Sequence, residues 1–288
     1  MTWRSCATAC AAACAAAFGA SVLSAQQPTF SSRLEAVRVD ALVSEGGKPV
    51  RGLRPGDFVV LDNGVPQTVD LASFETLPVN VILALDHSNS VTGDRLAQLQ
   101  EAARTVLRAL APRDQAALVT FSHRVALPQA LTRDSGSVIA ALERARPEGE
   151  TSLFDGIYSG LLAGLNDPSR NLVLVFSDGV DTASWLSPAQ VIETARRSDA
   201  VVYALSPKDA GSATFLRDLA DQTGGSAFEV DSLQQLASRF VAILEEFRHR
   251  YLLSYSPKGV QPGGWHKLEV RVKNRRATVK ARPGYVGR

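Results

Sequence analysis

An α/β fold, with a doubly wound, mostly parallel sheet and helices on both faces, is predicted by three features of this sequence. Apolar runs rich in β-branched residues recur through the middle of the chain without alternation, which suits strands buried on both faces. Helical patterns separate these runs, with short connections between them. The run Val79–Leu85 then breaks into Asp86, Ser88 and Ser90 just before a helical pattern, placing oxygen donors at the sheet edge where such folds bind ligands. Alternating stretches before and after this region add a small β-sandwich formed from N- and C-terminal segments.

Bulk composition sets the frame for the elements. The chain has 288 residues, 45% hydrophobic and 21% charged, which is ordinary globular material. A formal net charge of +2 gives no reason to expect nucleic acid as a partner. Residues 1–25 hold one basic residue (Arg4), no acidic residue, an Ala-rich apolar run and a Leu23-Ser24-Ala25 exit. This pattern predicts a signal peptide cleaved after Ala25, leaving no membrane span in an exported protein that is periplasmic or secreted. Cys6, Cys10 and Cys14 all lie in that segment. Its removal leaves no thiol for a disulfide, a zinc thiolate site or a nucleophile.

Residues 30–76 form the first β segment. Val37, Val39, Ala41 and Val43 share one face, and Asp62-Asn63-Gly64 between two strand-like runs predicts a hairpin, since both turn residues tolerate positive φ. Residues 77–250 form the α/β domain. Its strands are predicted at Val79–Leu85, Gln115–Phe121, Asn171–Phe176, Val201–Leu205 and Ser226–Val230, with an edge strand near Val125–Leu131. Its helices are predicted at Asp94–Leu110, Ser135–Ala145, Ser152–Leu165, Ser187–Arg197, Ala213–Gln222 and Ser232–Arg250. Ser187 with Pro188 marks a helix start and Gly224 a helix end. Residues 251–288 return to β, with Tyr251–Tyr255, His266–Lys273 and Ala277–Arg282 as strands completing the sandwich. The basic run Arg271, Lys273, Arg275, Arg276, Lys280 and Arg282 reads as the wet face of an edge hairpin.

Two further stretches complete the candidate site. Gly149-Glu150-Thr151 precedes a helix, and Ser177-Asp178-Gly179 ends an apolar strand. In a doubly wound sheet the ends of neighbouring parallel strands lie together, so Asp86, Ser88, Ser90, Thr151 and Asp178 converge. Hydroxyls and carboxylates without imidazole or thiolate select a hard cation, Mg2+ first or Mn2+ next. With only two charged donors, such an ion keeps positions open to a carboxylate from another molecule.

This constellation resembles the metal-ion-dependent adhesion site (MIDAS) of von Willebrand factor type A (VWA) domains, whose pattern is Asp-x-Ser-x-Ser, a loop Thr and a strand-end Asp. All five positions are filled here, and Phe121-Ser122 and Asp155 match further family features. The resemblance covers about Pro78 to Arg248. It implies that Ser88, Ser90 and Thr151 touch the metal directly and that Asp86 and Asp178 act partly through water. It also implies that affinity can switch when the last helix, Ser232–Arg250, shifts. The flanks, Gly52-Leu53-Arg54-Pro55-Gly56-Asp57-Phe58 and Arg282-Pro283-Gly284-Tyr285 among them, are similar to an exported VWA-related group prominent in acidobacteria.

The expected function is therefore a metal-dependent binding module, not an enzyme. Its partner is a protein or peptide ligand presenting an acidic residue, with His87, Asn89, Glu150 and Asp181 tuning selectivity. His87 reads as a solvated loop residue. A metal-dependent hydrolase, with His87 or Glu150 as base, and an envelope component in which metal only tightens the fold are the alternatives. Ser122-His123 does not support a catalytic triad, because adjacent strand residues point to opposite faces.

Overall fold

Strand β1 (Val37–Glu45) is the first element of the computed structural model, which describes residues 36–74, 77–208 and 210–287. The predicted signal peptide and its cysteines lie outside the described residues. Val37, Val39, Ala41 and Val43 of β1 are buried, as their alternation predicts. β2 (Lys48–Pro49), β3 (Phe58–Asp62), β4 (Val65–Gln67) and β5 (Leu71–Phe74) follow. The β3–β4 hairpin turns at Asn63 (φ 48°) and Gly64 (φ 81°), the left-handed pair that an Asn-Gly turn requires.

The central region runs β6 (Val79–Asp86), α1 (Asp94–Arg108), β7 (Gln115–Phe121), β8 (Val125–Thr132), α2 (Ser135–Arg144), α3 (Leu153–Ala163) and β9 (Arg170–Phe176). It continues with α4 (Pro188–Arg197), β10 (Val201–Pro207), α5 (Ala213–Thr223), β11 (Ser226–Val230) and α6 (Leu236–Arg248). The strand order is β11-β10-β9-β6-β7-β8. All neighbours are parallel except β8, an antiparallel edge with two register shifts against β7. Every residue of β6 is buried, which explains its unbroken apolar run.

Helices cover both faces. Leu99, Val106, Val138, Phe240 and Phe247 bring α1, α2 and α6 onto one face, while Leu153, Ile157, Val191, Leu216 and Leu219 bring α3, α4 and α5 onto the other. The chain winds outward from β6 to β7 and then returns to β9 on its opposite side. The carboxyl end of β6 is therefore a switch point, where such sheets open a crevice. Ser187 caps α4 reciprocally with Gln190, and Gly224 ends α5 at φ 76°. The predicted Ser232–Arg250 helix starts later, as a 3-10 turn at Leu233–Gln235 leading into α6. Among the described residues, no helix is long and apolar enough to cross a membrane.

β12 (Tyr251–Tyr255), β13 (Gly264–Val272), β14 (Thr278–Lys280) and β15 (Gly284–Gly287) complete the chain. One antiparallel sheet has the order β14-β1-β12-β5, with β2 beside β1; the other has the order β15-β13-β3-β4. N- and C-terminal segments thus share both sheets, and Val39, Val43, Phe58, Val60, Tyr251 and Leu268 fill one core between them.

The basic C-terminal run departs in part from the sequence expectation: Arg271, Lys273, Arg275 and Arg276 are exposed, but no edge hairpin carries the run. β13 and β14 belong to different sheets, so they form no hairpin with each other. Arg282 is buried, donating to the carbonyls of Arg196 and Gly284, and Lys280 donates to Ser226 Oγ. Arg196 and Ser226 lie far along the chain, which a local charge pattern does not reveal. Arg170 and Arg250 are buried too. Arg170 Nε donates to Asp40 of β1 at 2.7 Å, and Arg250 bonds Tyr203 Oη and the carbonyls of Asp40 and Gly224. These arginines join the sandwich strands to the central sheet.

Candidate metal centre

Asp86 is the last residue of β6 and is fully buried. Its Oδ1 accepts the Ser88 backbone N–H at 2.8 Å, and its Oδ2 accepts the Ser177 hydroxyl at 2.7 Å. Ser88 Oγ and Ser90 Oγ stand 2.9 Å apart, and Ser90 Oγ donates to Asp178 Oδ1 at 2.6 Å. Thr151 completes the group: its hydroxyl oxygen lies 3.4 Å from where a Cβ on Gly179 would sit. Asp86, Ser88, Ser90 and Asp178 are therefore linked through direct contacts at the carboxyl edge of β6 and β9, and Thr151 borders them beside Gly179.

Backbone bonds hold the three contributing loops in register. Asn89 N–H donates to the Gly149 carbonyl and Glu148 N–H to the His87 carbonyl, tying the β6–α1 loop to the segment before α3. Gly149 has φ 64°, and a Cβ there would fall 2.1 Å from His123 Nδ1, so glycine alone fits. The Thr151 carbonyl accepts the N–H groups of Thr182 and Ala183. Asp155, in the first turn of α3, accepts the N–H groups of Trp185 and Leu186, both at 3.0 Å. Asp181 accepts Phe154 N–H at 3.2 Å and the Ser184 hydroxyl.

The electrostatics of the site follow from this enclosure. Burial raises the Asp86 carboxyl above its ordinary range; hydrogen bonds from Ser88 and Ser177 pull it back, and the neighbouring Asp178 charge pushes it up again. Asp178 is paired as well. Arg95 Nη1 donates to its Oδ2 at 2.6 Å.

Two histidines differ from expectation. His87 is buried, not solvated, at 3% exposure. Its backbone N–H donates to the Phe121 carbonyl and its Nδ1 lies 3.3 Å from the Leu85 carbonyl, so the ring turns into the protein, where Nε2 has no partner. It presents nothing to a ligand, and burial lowers its pKa. Ser122 and His123 lie in the bend after β7, not on the strand. Ser122 is buried and His123 exposed, so the pair still forms no triad.

Oxygen chemistry dominates the donor set. Among the described residues, no group of three or more His, Cys, Asp or Glu side chains gathers as a metal cage. What gathers is the Ser88 and Ser90 hydroxyls with the Asp86 and Asp178 carboxylates, bordered by Thr151, a set that fits a hard, oxygen-loving cation and leaves part of its coordination to water or a ligand. Sequence reasoning passed over two neighbours. Ser177 carried a signal, as the residue between a buried strand and Asp178; Arg95 carried none, since a basic residue in a first helical turn gives no clue to its target.

The model of the von Willebrand factor type A domain matches residues 80–241. The chain belongs to the von Willebrand factor type A domain family. An inter-alpha-trypsin inhibitor heavy chain from Sus scrofa is 25% identical over 183 residues, which cover 58% of this chain and 20% of that protein. The chain thus spans about a fifth of that relative's length. A von Willebrand factor type A structure from Catenulispora acidiphila matches 89% of this VWA chain and 74% of its own, with a TM-score of 0.53 and 12% identity. Proximal thread matrix protein 1 from the mussel byssus, solved with a zinc-occupied MIDAS motif, matches 63% of this chain and 48% of its own, with a TM-score of 0.54 and 15% identity. At such identities the structures establish the fold.

Proposed function

We propose that this VWA chain is an exported binding module that takes up Mg2+, or Mn2+, at Asp86, Ser88, Ser90, Thr151 and Asp178. The bound ion engages an acidic residue of a protein or peptide partner. The observation carrying this reading is the contact chain Ser88–Ser90–Asp178 beside Asp86 and Thr151 at the switch point of the sheet. Two carboxylates and three hydroxyls leave a hard six-coordinate cation with an open position, and an incoming carboxylate oxygen fills it. Asn89 and Glu150, exposed on adjoining loops, are placed to select among acidic partners. Export rests on the pattern of residues 1–25. The zinc-occupied motif of the byssus protein lends support by likeness.

Calorimetric titration of the protein with Mg2+ and Mn2+, beside Asp86→Ala, tests the proposal. Saturable binding that the variant loses is the expected result. Binding undiminished in Asp86→Ala, or no binding in either protein, would overturn the assignment.

A further inference from the structure

Arg95 occupies an unfavourable position for a cation. It follows Gly93 and Asp94 in the first turn of α1, where the helix dipole presents its positive end. Its side chain is 55% exposed, yet Nη1 lies 2.6 Å from Asp178 Oδ2 and 3.5 Å from the Ser90 carbonyl. The carboxylate it meets is 1% exposed. Both oxygens of Asp178 are thereby engaged within the chain, one by the Ser90 hydroxyl and one by the guanidinium.

From this geometry we infer that Arg95 is a tethered cation that competes with a divalent ion for Asp178 and so sets the metal affinity of the site. The inference rests on the metal-binding reading above and adds a named determinant to it. Asp86 and Asp178 supply the only negative charges of the donor set, so a guanidinium on one of them halves the charge that an incoming ion meets. Loading the site with a dication requires the arginine to withdraw or to share that oxygen. A guanidinium released at the rim stands beside any partner carboxylate that reaches the metal, a fork geometry suited to bidentate pairing. Metal and acidic partner then favour each other's binding, since each gains from the same arginine leaving Asp178.

The test is Mg2+ titration of the full-length protein against R95Q and R95K, by calorimetry, with the Mg2+-induced rise in thermal midpoint as a second readout. R95Q is expected to bind at least about tenfold more tightly than the parent, the scale of removing one unit charge at close range. R95K, which keeps the charge but loses the fork, is expected to fall between them. Equal affinities for all three proteins would overturn the role of Arg95 and leave the metal site standing. Absence of binding in all three, R95Q included, would overturn both.

Discussion

Ser177 donates its hydroxyl to Asp86 Oδ2 across two neighbouring parallel strands, at 2.7 Å. The bond matters because Asp86 is fully enclosed, and burial alone favours its neutral form. With Ser88 N–H on the other oxygen, it opposes that shift and aims the carboxyl group at the edge. A serine absent from the family pattern thus supports the aspartate that opens it.

Ser177→Ala removes that support and raises the Asp86 pKa further. A proton then competes with a metal ion more strongly as pH falls. Metal affinity is expected to drop about 3- to 10-fold near pH 6, from the loss of a hydrogen bond to a buried charge, and to drop less at pH 8. Calorimetric titration at both pH values checks this; an equal loss at each would separate the bond from the proton.

His87 makes folding stability depend on pH in a definite direction. Burial lowers its pKa below the ordinary value of 6.5. The unfolded chain therefore takes up a proton near pH 6.5 while the folded ring stays neutral, so stability is full above that pH and declines as pH falls through the window beneath it. In His87→Leu the partnerless Nε2 and this titration both disappear. Thermal midpoints measured from pH 7.5 down to 5.5 are expected to fall more steeply for the parent than for the variant.

Gly156 and Gly160 lie one turn apart on α3 and give opposite forecasts. A Cβ at Gly156 would meet the Phe121 ring at 2.4 Å, whereas one at Gly160 would meet Ala84 and Val173 at 3.4 Å, an ordinary contact. Gly156→Ala is expected to destabilise by about 1–3 kcal/mol through overpacking. Gly160→Ala is expected to be neutral or to stabilise by up to about 1 kcal/mol, from helix propensity. Urea unfolding of the two variants distinguishes them.

Much of the fold was legible because its signals are local. The β6 run is apolar throughout because both of its faces are covered, and Asn63-Gly64 turns the hairpin because both residues tolerate positive φ. The five residues of the candidate centre stood out because they end predicted strands or precede predicted helices. What escaped was set by distant partners. Arg95 meets Asp178 across 83 positions, and Arg170 meets Asp40 across 130. His87 sits in the same loop as the exposed Asn89, yet its backbone N–H is held by the Phe121 carbonyl at the end of β7 and its ring is buried. Composition places arginines on the surface; only the tertiary arrangement shows that Arg170, Arg250 and Arg282 are enclosed.

Arg170 offers the strongest test of how the sandwich is joined to the central sheet. It begins β9, donates through Nε and Nη2 to Asp40 Oδ1 of β1 and through Nη2 to the Phe247 carbonyl, and lies 4.5 Å from the centre of the Phe247 ring. Removing one partner of a buried pair leaves the other charge unpaired, so Asp40→Ala is expected to cost about 3–5 kcal/mol. Replacing both, as Asp40→Leu with Arg170→Met, exchanges the pair for apolar packing and is expected to cost far less than the sum of the single changes. Denaturant unfolding of the parent, both single variants and the double variant measures this coupling. If the pair joins two parts that unfold together, Asp40→Ala lowers the midpoint of a single transition; a second transition appearing in that variant would mean that the sandwich separates from a central sheet able to stand alone.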